Sequence, residues 1–296
     1  MSLRVLSRKI LSEYYSRKFS LHPLLQVIGT KGFGNREFGF IVWEGEEEKF
    51  VRNYSFKTPI DLKEFMIEHG VKAAYVGAMY DPPPTPKTSI TKLTWLGREL
   101  VFDLDLTDYD DIRTCGKGKD HVCRNCWPLI VDAALVIDET LREDFGFSKI
   151  TWVFSGRRGL HAWVSDAVTL RFDEEVRDAI ASYISPDNPL EETIPLSYQR
   201  RIFKIIVKKD FSELMKQDKK IARELWREAI KKLPRIDKKV TMDTVRLLRM
   251  PGSIHDATGK LVMIVKDIQS FYPDDAPTVW EILGIERRIF KNCEMR

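Results

Sequence analysis

Leu3, Leu6, Ile10, Leu11 and Tyr14 recur at the spacing of a helix face, so the chain is predicted to open with an amphipathic helix. Two strand-like runs follow at 37–43 and 49–56, and the acidic Gly45-Glu46-Glu47-Glu48 between them predicts a hairpin tip. Residues 60–69 are helical in pattern and stop at Gly70, and 72–80 are apolar and strand-like. Asp81-Pro82-Pro83-Pro84-Thr85-Pro86 predicts a stiff exposed loop. The run 99–106 predicts a strand. Pro128 suits the first turn of a helix that runs through the apolar 129–141 to Gly146. Strands are expected at 151–154 and 160–164 around a Gly-rich turn. From 172 to 233 the pattern becomes polar and helical, with Ile221, Ala222, Leu225, Trp226, Ala229 and Ile230 as one apolar stripe. Strands return after Pro234 and end at 261–265.

Composition changes this picture little. With 296 residues, 43% hydrophobic and 31% charged, the chain is long enough for a buried core without disulfides and is neither disordered nor collagenous. No apolar run reaches the length of a membrane span, and the N-terminus lacks the apolar stretch of a signal peptide. An intracellular, reducing compartment is expected. Lys and Arg number 48 against 44 Asp and Glu, so overall charge does not mark a nucleic-acid binder. Any such role needs local arrangement, and nucleic-acid binding by this chain alone should be weak and salt-sensitive.

The first candidate chemistry is Leu100-Val101-Phe102-Asp103-Leu104-Asp105-Leu106. Alternation puts Asp103 and Asp105 on one strand face, opposite Phe102, Leu104 and Leu106. Carboxylates about 7 Å apart repel unless a cation lies between them, and a hard divalent ion such as Mg²⁺ prefers such oxygen donors; the alternative is a half-exposed strand with a solvated acidic face. Asp108, Asp110 and Asp111 read instead as a solvated loop. A second cluster, Cys115, His121, Cys123 and Cys126, has the donor set of a closed structural zinc site, while Cys293 stands apart.

The third is Ser155-Gly156-Arg157-Arg158-Gly159-Leu160-His161-Ala162-Trp163-Val164. Two glycines bracket two arginines between two strands, a pattern suited to a triphosphate; His161 and Trp163 would share a face. Pro234-Arg235-Ile236-Asp237 offers a third carboxylate, with Asp243 as a competitor. The downstream segment from Arg246 to His255 again mixes Arg, Gly, Ser and His.

Together these residues resemble the small catalytic subunit of archaeal and eukaryotic-type DNA primase. The resemblance spans about residues 30 to 265 and rests on Arg36-Glu37-Phe38-Gly39-Phe40, the Asp103-x-Asp105 strand, Cys123-x2-Cys126-Trp127, Glu143-Asp144-Phe145-Gly146-Phe147, the 155–161 block, 234–237 and Ser253-Ile254-His255. It implies a mixed α/β Prim fold with an RNA-recognition-motif-like catalytic core over 1–171 and 234–296, a zinc motif at about 115–126 and a helical subdomain over 172–233. It implies RNA primer synthesis on single-stranded DNA from ribonucleoside triphosphates. Asp103, Asp105 and Asp237 match the family's two-metal triad, and Ser155, Arg157, Arg158 and His161 its triphosphate and ribose contacts. Arg52, Arg249 and His255 match further nucleotide contacts; position 249 is Arg where animal subunits carry Lys.

The resemblance also implies a large subunit with an iron–sulfur cluster, a replicative polymerase complex, and work in the nucleus of a eukaryote or the cytoplasm or nucleoid of an archaeon. Four cysteines leave this chain too few to hold that cluster itself. The short segment between Asp105 and Asp237 suggests an archaeal or compact eukaryotic protein. One rival is the related primase-polymerase or end-joining polymerase domain, which would prefer primed or gapped DNA. Another is a non-catalytic zinc-dependent nucleic-acid-binding module, against which the acidic strand argues, since bare carboxylates repel a phosphate backbone. A metal-dependent nuclease would use the carboxylates but not the triphosphate cradle.

Overall fold

The computed structural model describes residues 5–187 and 196–285, Leu196 by its backbone alone. Leu3 and Cys293 lie outside them. The opening helix is α1 (Arg8–Arg17), capped by Ser7, whose hydroxyl accepts from Ile10 N; a second short helix, α2 (His22–Ile28), follows. Leu11, Tyr14 and Tyr15 are buried, as the helical spacing requires.

The first sheet is antiparallel. β1 (Arg36–Glu44) pairs with β2 (Glu47–Tyr54) across the Gly45-Glu46 turn, and on its other side with β3 (Ala73–Asp81). Between them runs α3 (Pro59–His69), begun by a Thr58–Asp61 capping box. The far edge of β3 is shared by β4 (Thr94–Gly97), which the pattern did not predict, and by a two-residue strand from the distal segment.

The second sheet is also antiparallel. β5 (Leu100–Asp105) pairs with β7 (Gly159–Val164), which pairs with β6 (Ile150–Phe154). The two-residue strand, β8 (Leu248–Arg249), belongs to the first sheet, and β9 (Met263–Val265) closes the second against β6. Helix α4 (Pro128–Glu143) covers one face of this sheet, burying Ile130, Ala133, Ala134, Ile137 and Leu141 against Leu100, Phe102, Leu104, Leu160 and Ala162.

The following helices are α5 (Glu174–Ile184), α6 (Leu196–Ile202), α7 (Phe211–Gln217), α8 (Lys219–Ala229) and α9 (Lys238–Met242). Tyr198, Ile202, Ala229 and Leu233 form a small core of their own with Val136 of α4. A last short helix, α10 (Val279–Ile282), packs Val279 and Trp280 into the core of the first sheet.

The uncovered face of the second sheet changes character along its length. At one end Val101, Val153 and Trp163 join the first sheet's core. Two residues further along each strand the same face presents Asp103, Ser155 and His161, and the sheet opens to solvent. A buried bidentate pair fixes the two sheets together: both terminal nitrogens of Arg36 in β1 donate at 2.8 Å to the carboxylate of Glu99, immediately before β5.

Candidate active-site cleft

The cleft is assembled by strand register. Asp103 lies opposite His161 and Asp105 opposite Gly159 in the β5–β7 ladder. His161 Nε2 is therefore 3.3 Å from Asp103 Oδ1, and Arg158 Nε donates to Asp105 Oδ1 at 2.7 Å. Two glycines permit this. A Cβ on Gly159 would stand 2.3 Å from the Leu104 carbonyl, and Gly156, at φ +98°, leaves room that a Cβ would contest with His255.

Asp237 reaches the same place from far along the chain. Its backbone N–H donates to the Asp103 carbonyl at 3.2 Å beside a Leu104–Ile236 bridge. Asp243 faces elsewhere: its carboxylate caps Val245 N at 2.9 Å and its carbonyl accepts from Arg98.

Each aspartate has one oxygen held and one left over. Asp105 Oδ1 accepts from Thr107 N, Thr107 Oγ1 and Arg158; Asp237 Oδ1 accepts from Lys239 N at 3.0 Å and Val240 N at 3.4 Å. The Oδ2 atoms of Asp103, Asp105 and Asp237 take no hydrogen bond among the described residues, although Arg246 stands 4.0 Å from that of Asp237. Asp108 feels the resulting field. Partial burial, then the charges of Asp105, Asp103 and Asp237, push its carboxyl up to about 6. A set of oriented carboxylates with repelling charges and free oxygens fits a divalent cation.

Two cavities adjoin. One, of about 640 Å³, is lined by Asp103, Asp105, Asp108, Asp237, Arg235 and Lys239, among others. The other, of about 230 Å³, is lined by Ser155, Arg157, Arg158, His161, Arg249 and His255, and Asp103 and Asp105 belong to both. Arg249 NH1 is buried there without a hydrogen-bond partner, an unspent donor for an anion, and His161 Nδ1 is likewise buried without one. Burial, then the charge of Arg249, holds His255 neutral down to about 3, against the pull of Asp256. Arg249 lies over the Tyr75 ring at 5.3 Å and pairs with Asp256 at 2.8 Å.

Arg52 is placed differently. It is absent from the lining of the smaller cavity and donates to the buried Glu37 at 2.8 and 3.1 Å and to the Val245 carbonyl at 3.2 Å. Arg157 pairs with Asp120, so the basic turn also touches the cysteine loop. Tyr75 and Arg246 are not among the site residues the sequence pattern singles out, and Asp108, read there as part of a solvated loop, is exposed as expected but also lines the carboxylate cavity. Arg246 sits within the basic distal segment, but nothing local marks which of its arginines face the carboxylates.

The cysteine cluster is brought together. One donor atom from each of Cys115, His121, Cys123 and Cys126 lies within 4.8 Å of the others. A turn with Cys126 N and Trp127 N donating to Cys123 O sets the two thiols 3.5 Å apart and leads into α4. His121 Nε2 is buried and has no hydrogen-bond partner, which fits a nitrogen reserved for metal. Three thiols and an imidazole at this spacing fit zinc in a closed tetrahedral site.

A family model described as DNA primase small subunit matches residues 102–267. A DNA primase small subunit of Schizosaccharomyces pombe is 39% identical over 179 residues, 58% of this chain and 38% of that protein. The chain thus aligns with about two fifths of that relative. A DNA primase small subunit PriS of Pyrobaculum islandicum is 30% identical over 236 residues, covering 77% of this chain and 70% of that one. A solved structure described as the polymerase domain from Mycobacterium tuberculosis Ligase D in complex with DNA shares the fold, with a TM-score of 0.54 at 12% identity over 95% of this chain and 88% of that one.

Proposed function

The chain belongs to the DNA primase small subunit family, and on that premise we propose that it synthesises short RNA primers on single-stranded DNA from ribonucleoside triphosphates. The observation that carries the reading is the shared wall of the cleft: Asp103 and Asp105 line both the carboxylate cavity and the arginine–histidine cavity. A triphosphate and a divalent cation can therefore be held in contact.

Asp103, Asp105 and Asp237 would hold two Mg²⁺ or Mn²⁺ ions through their free Oδ2 atoms. When bound, such ions supply activation of the attacking 3′-hydroxyl and charge for the departing pyrophosphate. The remaining work falls to the chain. Arg157, Arg158, Arg249 and Ser155 would bind and orient the phosphates, with His161 lining the same cavity beside them. Thr107 and Arg158 keep Asp105 aimed, and the α9 amides do the same for Asp237. No protein base is required; catalysis is placement and charge. Arg52 would act by steadying the 245–249 segment through Val245.

The zinc set would be structural, since four protein donors leave no open position. The α-helices between 172 and 233 would form a helical subdomain beside the catalytic core. A large subunit carrying an iron–sulfur cluster would be the partner, within a replicative polymerase assembly.

The test is ribonucleotide incorporation on unprimed single-stranded DNA with Mg²⁺ or Mn²⁺, with and without a large-subunit partner. Dinucleotide and short-primer products support the reading. Extension of primed or gapped duplex alone would replace it with the related polymerase domain.

A further inference from the structure

The chain's positive charge is concentrated in one stretch. Residues 200–239 hold fifteen Lys and Arg against six Asp and Glu, while the whole chain holds 48 against 44, so the rest of the chain is net negative. Within the stretch Lys219, Arg223, Arg227, Lys231, Arg235 and Lys239 recur every fourth residue. On α8 the four-residue step is a rise of about 6 Å, and three such positions stay within an arc of about 80°.

Packing holds this stripe outward. Ala222 and Ala229 of α8 are buried, and Trp226 stacks on Phe203 with ring centroids 6.1 Å apart. Lys219, Arg223 and Arg227 are exposed and have no ion-pair partner among the described residues. The row then leads to the cleft. Arg235 NH2 donates to the Lys231 carbonyl at 3.0 Å, and Arg235 and Lys239 line the same cavity as Asp103, Asp105 and Asp237.

We propose that the stripe from Lys219 to Lys231 is a track for the phosphate backbone of single-stranded nucleic acid running to or from the carboxylate cavity. The proposal rests on the templated reading above and adds where the strand lies. Evenly stepped cations suit a polyanion with regularly spaced charges. A protein interface needs a central apolar anchor, and α8 exposes only Ile221 among its large hydrophobic side chains.

The experiment uses the full chain and a fluorescent oligodeoxythymidylate, with binding followed by anisotropy across a salt series. The variant is Lys219→Gln/Arg223→Gln/Arg227→Gln, none of which lines the cleft cavities. Loss of three phosphate contacts should make the slope of log K against log salt shallower by about 2 and weaken binding at low salt at least about tenfold. Triphosphate binding should be unchanged, and Arg223→Lys/Arg227→Lys should keep the parent slope. If the triple variant melts early, Arg227→Gln alone should still remove about 0.7 from the slope. An unchanged slope overturns the proposal, including the case where the variant instead loses an acidic protein partner. A lost slope in a chain whose parent makes no product on unprimed template keeps the track and discards the primase reading.

Discussion

His161 Nε2 stands 3.3 Å from Asp103 Oδ1 because the two residues are direct partners in the β5–β7 register. A base-bearing strand and an acid-bearing strand are thus pinned together at one rung. The contact orients Asp103 without consuming its second oxygen and leaves His161 Nδ1 buried with no partner. Nothing in either segment alone specifies that rung.

Asp103→Asn keeps the side chain's shape and removes its charge. Incorporation should fall by more than about 10²-fold, the scale of losing one preorganised electrostatic group. The thermal melt should be unchanged. Near-parent activity would remove Asp103 from the metal site.

Removal of zinc should be visible without any assay of activity. Chelation, or Cys126→Ser, should lower Tm by about 3 °C, roughly 2 kcal/mol for a chain of this size, because the loop leads directly into α4. Nucleotide-independent binding of Mn²⁺ at the carboxylates should persist. An unchanged melt after verified metal loss would deny the structural role.

His255 supplies a pH dependence. Folded, it stays neutral to about 3; unfolded, a histidine takes a proton near 6.5. The unfolded state binds more protons between those values, so stability should fall as pH drops through 6.5 toward 3. His255→Gln should flatten that part of the stability profile. Equal slopes in both proteins would mean that His255 titrates normally.

The pair of Arg36 and Glu99 is nearly inaccessible on both sides. Removing one partner strands a buried charge, so Arg36→Met should cost about 3–5 kcal/mol in urea unfolding. Arg36→Met/Glu99→Leu should recover much of that loss. If the single variant is as stable as the parent, the pair does not fasten the sheets.

The sequence alone determined the local pieces. Alternation put Asp103 and Asp105 on one face, glycines bracketed Arg157 and Arg158, and three cysteines with His121 had the composition of a zinc site. These signals are short-range because side-chain direction follows from backbone period. Tertiary structure decided the rest. The choice of Asp237 over Asp243 depends on an amide reaching the Asp103 carbonyl across more than a hundred residues. Arg52 is turned to Glu37 by a cross-strand neighbour, and Tyr75 and Arg246 enter the cleft only because β8 docks on β3. Whole-chain charge concealed the basic stripe, since a sum carries no positions; folding separates the two signs in space and brings each to the same cleft.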